Sequence, residues 1–172
     1  MRRRLAHSGR LPSGAVLISD ERNDAVLEQA LGRMPAGGGF VFRHYHLPKP
    51  ERRARFDRLA RLARARGLVV ILAGNRNEAR RWGADMAYGP RGHLVPVHNL
   101  REIGRASRAE ALLLSPVFPT RSHPGAMALG PLRFRLLAAR AQVPVIALGG
   151  MGRQRAKRLK WPLWAGIDAF LQ

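Results

Sequence analysis

The chain has no cysteine. That excludes a disulfide framework, a cysteine nucleophile and thiolate metal sites. Acidic residues are scarce: 11 Asp and Glu stand against 31 Lys and Arg, a formal charge of +20. Lysine is scarcer, with only Lys49, Lys157 and Lys160, so the cationic surface is made of arginine. Aromatics are 6% of residues, which leaves few rings for stacking bases, and no nucleic-acid-binding motif accompanies the charge. A nucleic-acid partner is therefore not expected. No apolar run approaches the roughly 18 residues of a membrane span. The basic start Met1–Leu5 is not followed by a secretory hydrophobic core, so a cytoplasmic location without a membrane partner is expected.

Seven arginines between Arg52 and Arg66 recur at helical spacing and read as one solvated helix face. The remaining charge suits an anionic small ligand. With 172 residues the chain can bury one sizeable core. It is short for a (β/α)8 barrel, which typically takes about 250 residues.

Short, continuous apolar runs predict strands buried on both faces. They are Ala15–Ile18, Phe40–Phe42, Leu68–Leu72, Gly83–Tyr88, His93–His98, Ala111–Leu114, Pro144–Leu148 and a last strand over Gly166–Gln172. Between them, helices are predicted from Asn23 or Asp24 to Gly32, from Pro48 to Gly67, from Asn77 to Trp82, from Asn99 to Ser107, from Leu129 to Ala141 and from Arg153 to Lys160. Residues 1–14 read as a flexible lead, and residues 15–172 as one domain. Alternating strands and helices argue for a parallel sheet, and eight strands argue for closure. The expected fold is an α/β, (β/α)8 barrel that lacks the helix after strand 4 and the helix after strand 8. An open doubly wound sheet is the alternative, but no glycine-rich dinucleotide loop follows the first strand.

Chemistry in such a barrel sits at the carboxyl ends of the strands. Asp20, Arg43, His44, His46, Asn75, His98, Ser115, Thr120, Ser122 and His123 fall there. Asp20 also suits a helix cap. His44 and His46 offer two metal ligands without a third, so no metal site is assigned. His98 suits an acid or base, or a bond to a neighbouring loop. Gly149 and Gly150, between a strand and a helix start, let backbone N–H groups approach an anion, with Arg153, Arg155 and Lys157 close in sequence.

The run Ser115-Pro116-Val117-Phe118-Pro119-Thr120-Arg121-Ser122, followed by Ala128-Leu129-Gly130 and by Pro144–Met151, resembles the thiamine phosphate synthase and TenI family. Gly83-Ala84-Asp85, Val97-His98-Asn99, Gly166-Ile167-Asp168 and Ser19-Asp20 support the resemblance, which spans residues 15–172. It implies a barrel that handles thiamine precursors. One branch joins a pyrimidine diphosphate to a thiazole phosphate with magnesium, and the other includes thiazole tautomerases. It further implies substrate contacts at Arg43, Ser115, Thr120 and Ser122 and phosphate contacts at Gly149 and Gly150.

The chain departs from the family pattern at several of these places. Tyr45 and His123 replace lysines, Ala73-Gly74-Asn75 replaces the segment that carries a magnesium carboxylate, and Gly89–Gly92 replaces the segment that carries a second one. Ser115 stands where the TenI branch has a histidine. No cofactor is therefore expected, although the family uses Mg2+.

The expected function is binding of a phosphorylated thiazole or related small heterocycle at the barrel rim, with His98 and His123 as acid/base candidates. The alternative is a catalytically inactive barrel that serves as a binding or assembly module, with an anionic partner. Strand faces left bare by the two missing helices would be covered by a second copy, so a homodimer is expected.

Overall fold

Alternation inside each strand sorts the core into two layers. In a computed structural model, which describes residues 10–121, 124–125 and 127–170, Val16 and Ile18 of the first strand point into the sheet's interior while Ala15 and Leu17 point out. Both faces are buried, so the strand carries no polar alternation. The same sorting holds for Val41 against Phe40 and Phe42, and for Ile71 against Val70 and Leu72.

The strands are β1 (Ala15–Ile18), β2 (Gly39–Phe42), β3 (Val69–Ala73), β4 (Met86–Tyr88), β5 (Leu94–Val97), β6 (Ala111–Leu114), β7 (Val145–Ala147) and β8 (Trp164–Gly166). They pair in chain order, all parallel, and β8 returns to β1 with Ala15 opposite Trp164. The result is the closed eight-stranded α/β barrel expected from the sequence. The helices are α1 (Leu27–Arg33), α2 (Lys49–Ala65), α3 (Arg76–Trp82), α4 (Leu100–Arg105), α5 (Gly130–Ala138) and α6 (Arg153–Leu159). A 3-10 helix, Glu21–Val26, precedes α1, with Asp20 as its cap.

Residues 89–93 join β4 to β5 by turns, with no helix. Of the lead 1–14, residues 10–14 are described. Pro12 is buried, and Ser13 donates its backbone N–H to the Gly37 carbonyl at 2.8 Å.

Two expectations are corrected. The last strand is not Gly166–Gln172 but Trp164–Gly166. Trp164 is claimed by pairing with Ala15 and Ala147. Beyond Gly166, the Asn23 side chain takes the Ile167 carbonyl (3.0 Å) together with that of Ile18 (3.0 Å), which clips the end of β8 to that of β1. Gln172 lies outside the described residues. Nor are strand faces left bare. Phe170 turns back and stacks on Trp164, with ring centroids 5.4 Å apart, and both are buried. The outward-facing Ala87 is buried as well, and its N–H and C=O bond to His93. Among the described residues, these strand faces are thus covered from within the chain. The exposed large apolar side chains include Leu132 and Leu136 of α5, together with Met127, Tyr45, Leu62 and Leu100.

Candidate functional site

The loops after β6 and β7 are built as one unit. Val117 N–H donates to the Leu148 carbonyl (2.9 Å) and Phe118 N–H to that of Gly149 (3.1 Å). Gly149 has φ +94° and Gly150 φ +59°. A Cβ on Gly149 would meet Pro116 Cα at 2.6 Å, and one on Gly150 would meet the Pro119 carbonyl at 2.6 Å. Only glycine fits this approach. The approach leads Thr120, Arg121, Gly150, Met151 and Gly152 into one cleft of about 1080 Å³. Arg22, Arg33, Arg153 and Arg155 line it too, against a single carboxylate, Asp168. Arg155 is itself braced, donating to the Gly150 carbonyl and lying 5.0 Å from the centroid of the Phe118 ring.

At the β1–β2 rim the candidates divide. Asp20 caps the 3-10 helix and pairs with Arg22 at 2.8 Å, while Arg43 stands 3.9 Å away. Burial raises the Asp20 pKa, but the hydrogen bonds and charge of Arg22 outweigh it and hold the carboxyl below its ordinary value. His44 is buried, with Nδ1 2.8 Å from Ser19 Oγ and Nε2 2.8 Å from Asp24 Oδ1. Ser19 Oγ also accepts the Arg43 N–H at 2.8 Å. The chain Ser19–His44–Asp24 has the composition of a catalytic triad. Ser19, however, is 0% exposed. It therefore bolts β1 to β2 and meets no substrate. Burial pushes the His44 pKa down, against the pull of Asp24. His46 is exposed, its ring 5.1 Å from that of His44.

Between β2 and β3 a guanidinium closes the rim. Arg52 of α2, 7% exposed, donates to the Arg43 carbonyl at 2.9 Å and to the Ala73 carbonyl at 2.8 Å. It pairs with Glu78 at 3.4 Å and packs 5.0 Å from the Tyr45 and Trp82 rings. Asn75 caps α3 through the Glu78 N–H. The carboxylate nearest the end of β3 is thus Glu78, already neutralised by Arg52. Among the described residues no group of three His, Asp or Glu side chains could hold a metal ion. These donors do not fit Mg2+, which needs hard oxygen ligands and no resident cation.

Comparison with known proteins follows the same carboxy-terminal loops. A family model described as thiamine monophosphate synthase matches residues 95–169. Over that stretch, somewhat less than half of the chain, the sequence is similar to the thiamine phosphate synthase and TenI family. A solved structure titled thiamine phosphate pyrophosphorylase from Pyrococcus furiosus superposes with a TM-score of 0.75 at 20% identity, over 95% of this chain and 88% of that one. That likeness is one of fold. None of the curated proteins matches the chain by sequence.

Against the thiamine phosphate synthase pattern, the sequence candidates separate into two groups. Thr120, Gly150 and the arginines share the cleft. Ser115 is half-buried at the end of β6, its N–H bonded to the Val97 carbonyl at 3.1 Å. Arg43 belongs to the Asp20 cluster on the opposite side of β1 from Gly150. His98 is exposed and bound to Glu102, both through its ring (2.9 Å) and through its N–H (2.7 Å). It does not line the cleft. Ser122 and His123 lie outside the described residues.

Sequence reading missed Asp168, Arg22 and Arg33 as cleft residues, because they converge only when β8 meets β1. It also missed Tyr88, which points into the barrel where burial raises its pKa. The alternation from Met86 through Ala87 to Tyr88 was the available signal. Among the described residues, no helix is long and apolar enough to cross a membrane.

Proposed function

We propose that the chain binds a phosphorylated thiazole, or a related small heterocyclic phosphate, at the carboxyl end of β6 and β7 without a metal ion. The observation that carries this reading is the interlocked pair of loops. Gly149 against Pro116 brings Thr120 and Gly150 to one end of the cleft, where Arg121, Arg153 and Arg155 also line it. A phosphate there has guanidinium groups and glycine backbone as partners, both suited to anions. The family match over residues 95–169 supports the class of ligand.

Loss of diphosphate from a pyrimidine diphosphate requires a metal to neutralise the leaving group. Glu78 paired with Arg52 argues against that step. A tautomerisation asks only for an acid/base pair near an anchored phosphate. His98 is engaged by Glu102 away from the cleft, which favours the second reading, a barrel that binds its ligand without turning it over. Calorimetry with thiazole phosphate and thiamine phosphate tests the proposal. Saturable heat with either supports it, and no heat at millimolar ligand contradicts it. We also propose that self-association uses the exposed Leu132 and Leu136 of α5. Light scattering at micromolar protein reads a dimer if so, and a monomer removes that proposal.

A further inference from the structure

The cleft does not stop at the rim. Asp20 and Arg22 stand at the carboxyl end of β1, whereas Arg33 closes α1 just before the chain turns back into β2. The seven residues of α1 rise about 10 Å along its axis. Arg22 and Arg33 nevertheless line the same cleft as Arg121, Arg153 and Arg155. At about 1080 Å³ the cleft reaches the top of the range of small-molecule pockets, which runs to about 1,000 Å³. It extends past the end of β8, where residues 167–170 form no helix. A single phosphate at Gly150 leaves the Arg33 end without an anion.

Three of these arginines have no competing duty. Arg33, Arg121 and Arg153 are exposed and make no hydrogen bond or ion pair with another described residue. The cleft's aromatic residue, Phe170, is 6% exposed and already stacked on Trp164. No ring is therefore free to take a base, and recognition rests on charge.

We propose that this groove binds a linear chain of phosphates, the chemistry shared by polyphosphate and an RNA backbone. The ligand runs from the Gly150–Arg153 end, past Asp168, to Arg33. Binding is driven by displacement of counterions, without reading base sequence. The proposal does not depend on the thiazole phosphate site, because Arg33 stands at the far end of α1 from the rim.

The test uses the full chain, a fluorescently labelled oligouridylate and inorganic polyphosphate. Anisotropy is followed between about 50 and 200 mM salt, where phosphate-driven binding weakens steeply. Arg33→Ala lowers the slope of log K against log salt by about 0.7, and Arg33→Ala with Arg153→Ala by about 1.4. Arg61→Ala on the outer face of α2, which removes the same charge, changes neither the slope nor the affinity by more than a charge-averaged few tenths of a log unit.

Binding of polyphosphate alone assigns the groove to polyphosphate, and binding of the oligonucleotide alone assigns it to nucleic acid. Failure of both to bind overturns the proposal. So does binding that responds equally to Arg61→Ala and Arg33→Ala, or that orthophosphate displaces at matched phosphate concentration. Arg33→Ala leaves calorimetric binding of thiazole phosphate unchanged, which separates failure of this proposal from failure of the rim site.

Discussion

Gly149 lies against Pro116 so closely that a Cβ would stand 2.6 Å from the proline Cα. The atom in the way is backbone, so no side-chain rotation relieves the contact. With φ at +94° the position is also outside the range that other residues adopt without strain. Gly149→Ala is therefore expected to cost more than about 2 kcal/mol in denaturant unfolding. It should also abolish ligand binding, because the loops carrying Thr120 and Gly150 must separate. A variant with wild-type stability would show that the two loops are not packed as described.

His44 sets a pH limit on stability. An unfolded His44 takes up a proton near its ordinary pKa of 6.5, whereas the buried one does so only at lower pH. Between those values the unfolded state binds more protons, so stability is full above 6.5 and falls as the pH drops below it. The slope contributed by one proton is at most about 1.4 kcal/mol per pH unit. His93 is shifted down by burial too and adds to the same window. The readout is thus the difference between wild type and His44→Asn, a residue that tolerates the φ of +41° found there. The variant should lose stability at pH 7 by about 1–3 kcal/mol, from the lost bonds to Ser19 and Asp24, and show a shallower decline below 6.5. Parallel pH curves would remove His44 from the account.

Arg52 fastens β2 to β3. Arg52→Met keeps the stem but leaves the carbonyls of Arg43 and Ala73 without a donor and Glu78 without its partner. A loss of about 3 kcal/mol is expected. Arg52→Lys should recover less than half of it, since a single ammonium cannot span two carbonyls and a carboxylate. Equal stability of Met and wild type, within about 0.5 kcal/mol, would contradict this role.

The barrel was legible in the sequence because its strands are short, wholly apolar and separated by capped helices. Ala111–Leu114 and Ala15–Ile18 needed no tertiary information. The last strand was misread because Ile167, Ala169, Phe170 and Leu171 look like a strand in one dimension. In three dimensions Asn23, 144 positions earlier, takes the Ile167 carbonyl, and Phe170 serves as the lid of Trp164. The Gly149–Gly150 pair was recognisable as a close-approach turn, but its partner Pro116 was not. His98 stood out by its position at a strand end, yet Glu102 four residues later turns it into part of a helix start. Arg22 and Arg33 carried no signal that separated them from 26 other arginines. Their convergence depends on the ring closing.

The most direct test of the rim site is calorimetric titration of thiazole phosphate into wild type and Arg121→Ala, with and without Mg2+. The account predicts saturable binding in the wild type, unchanged by magnesium. It predicts affinity about tenfold weaker in Arg121→Ala, the loss of one charge-assisted contact worth about 1.4 kcal/mol. No heat in the wild type at millimolar ligand, or binding that appears only with magnesium, would contradict it.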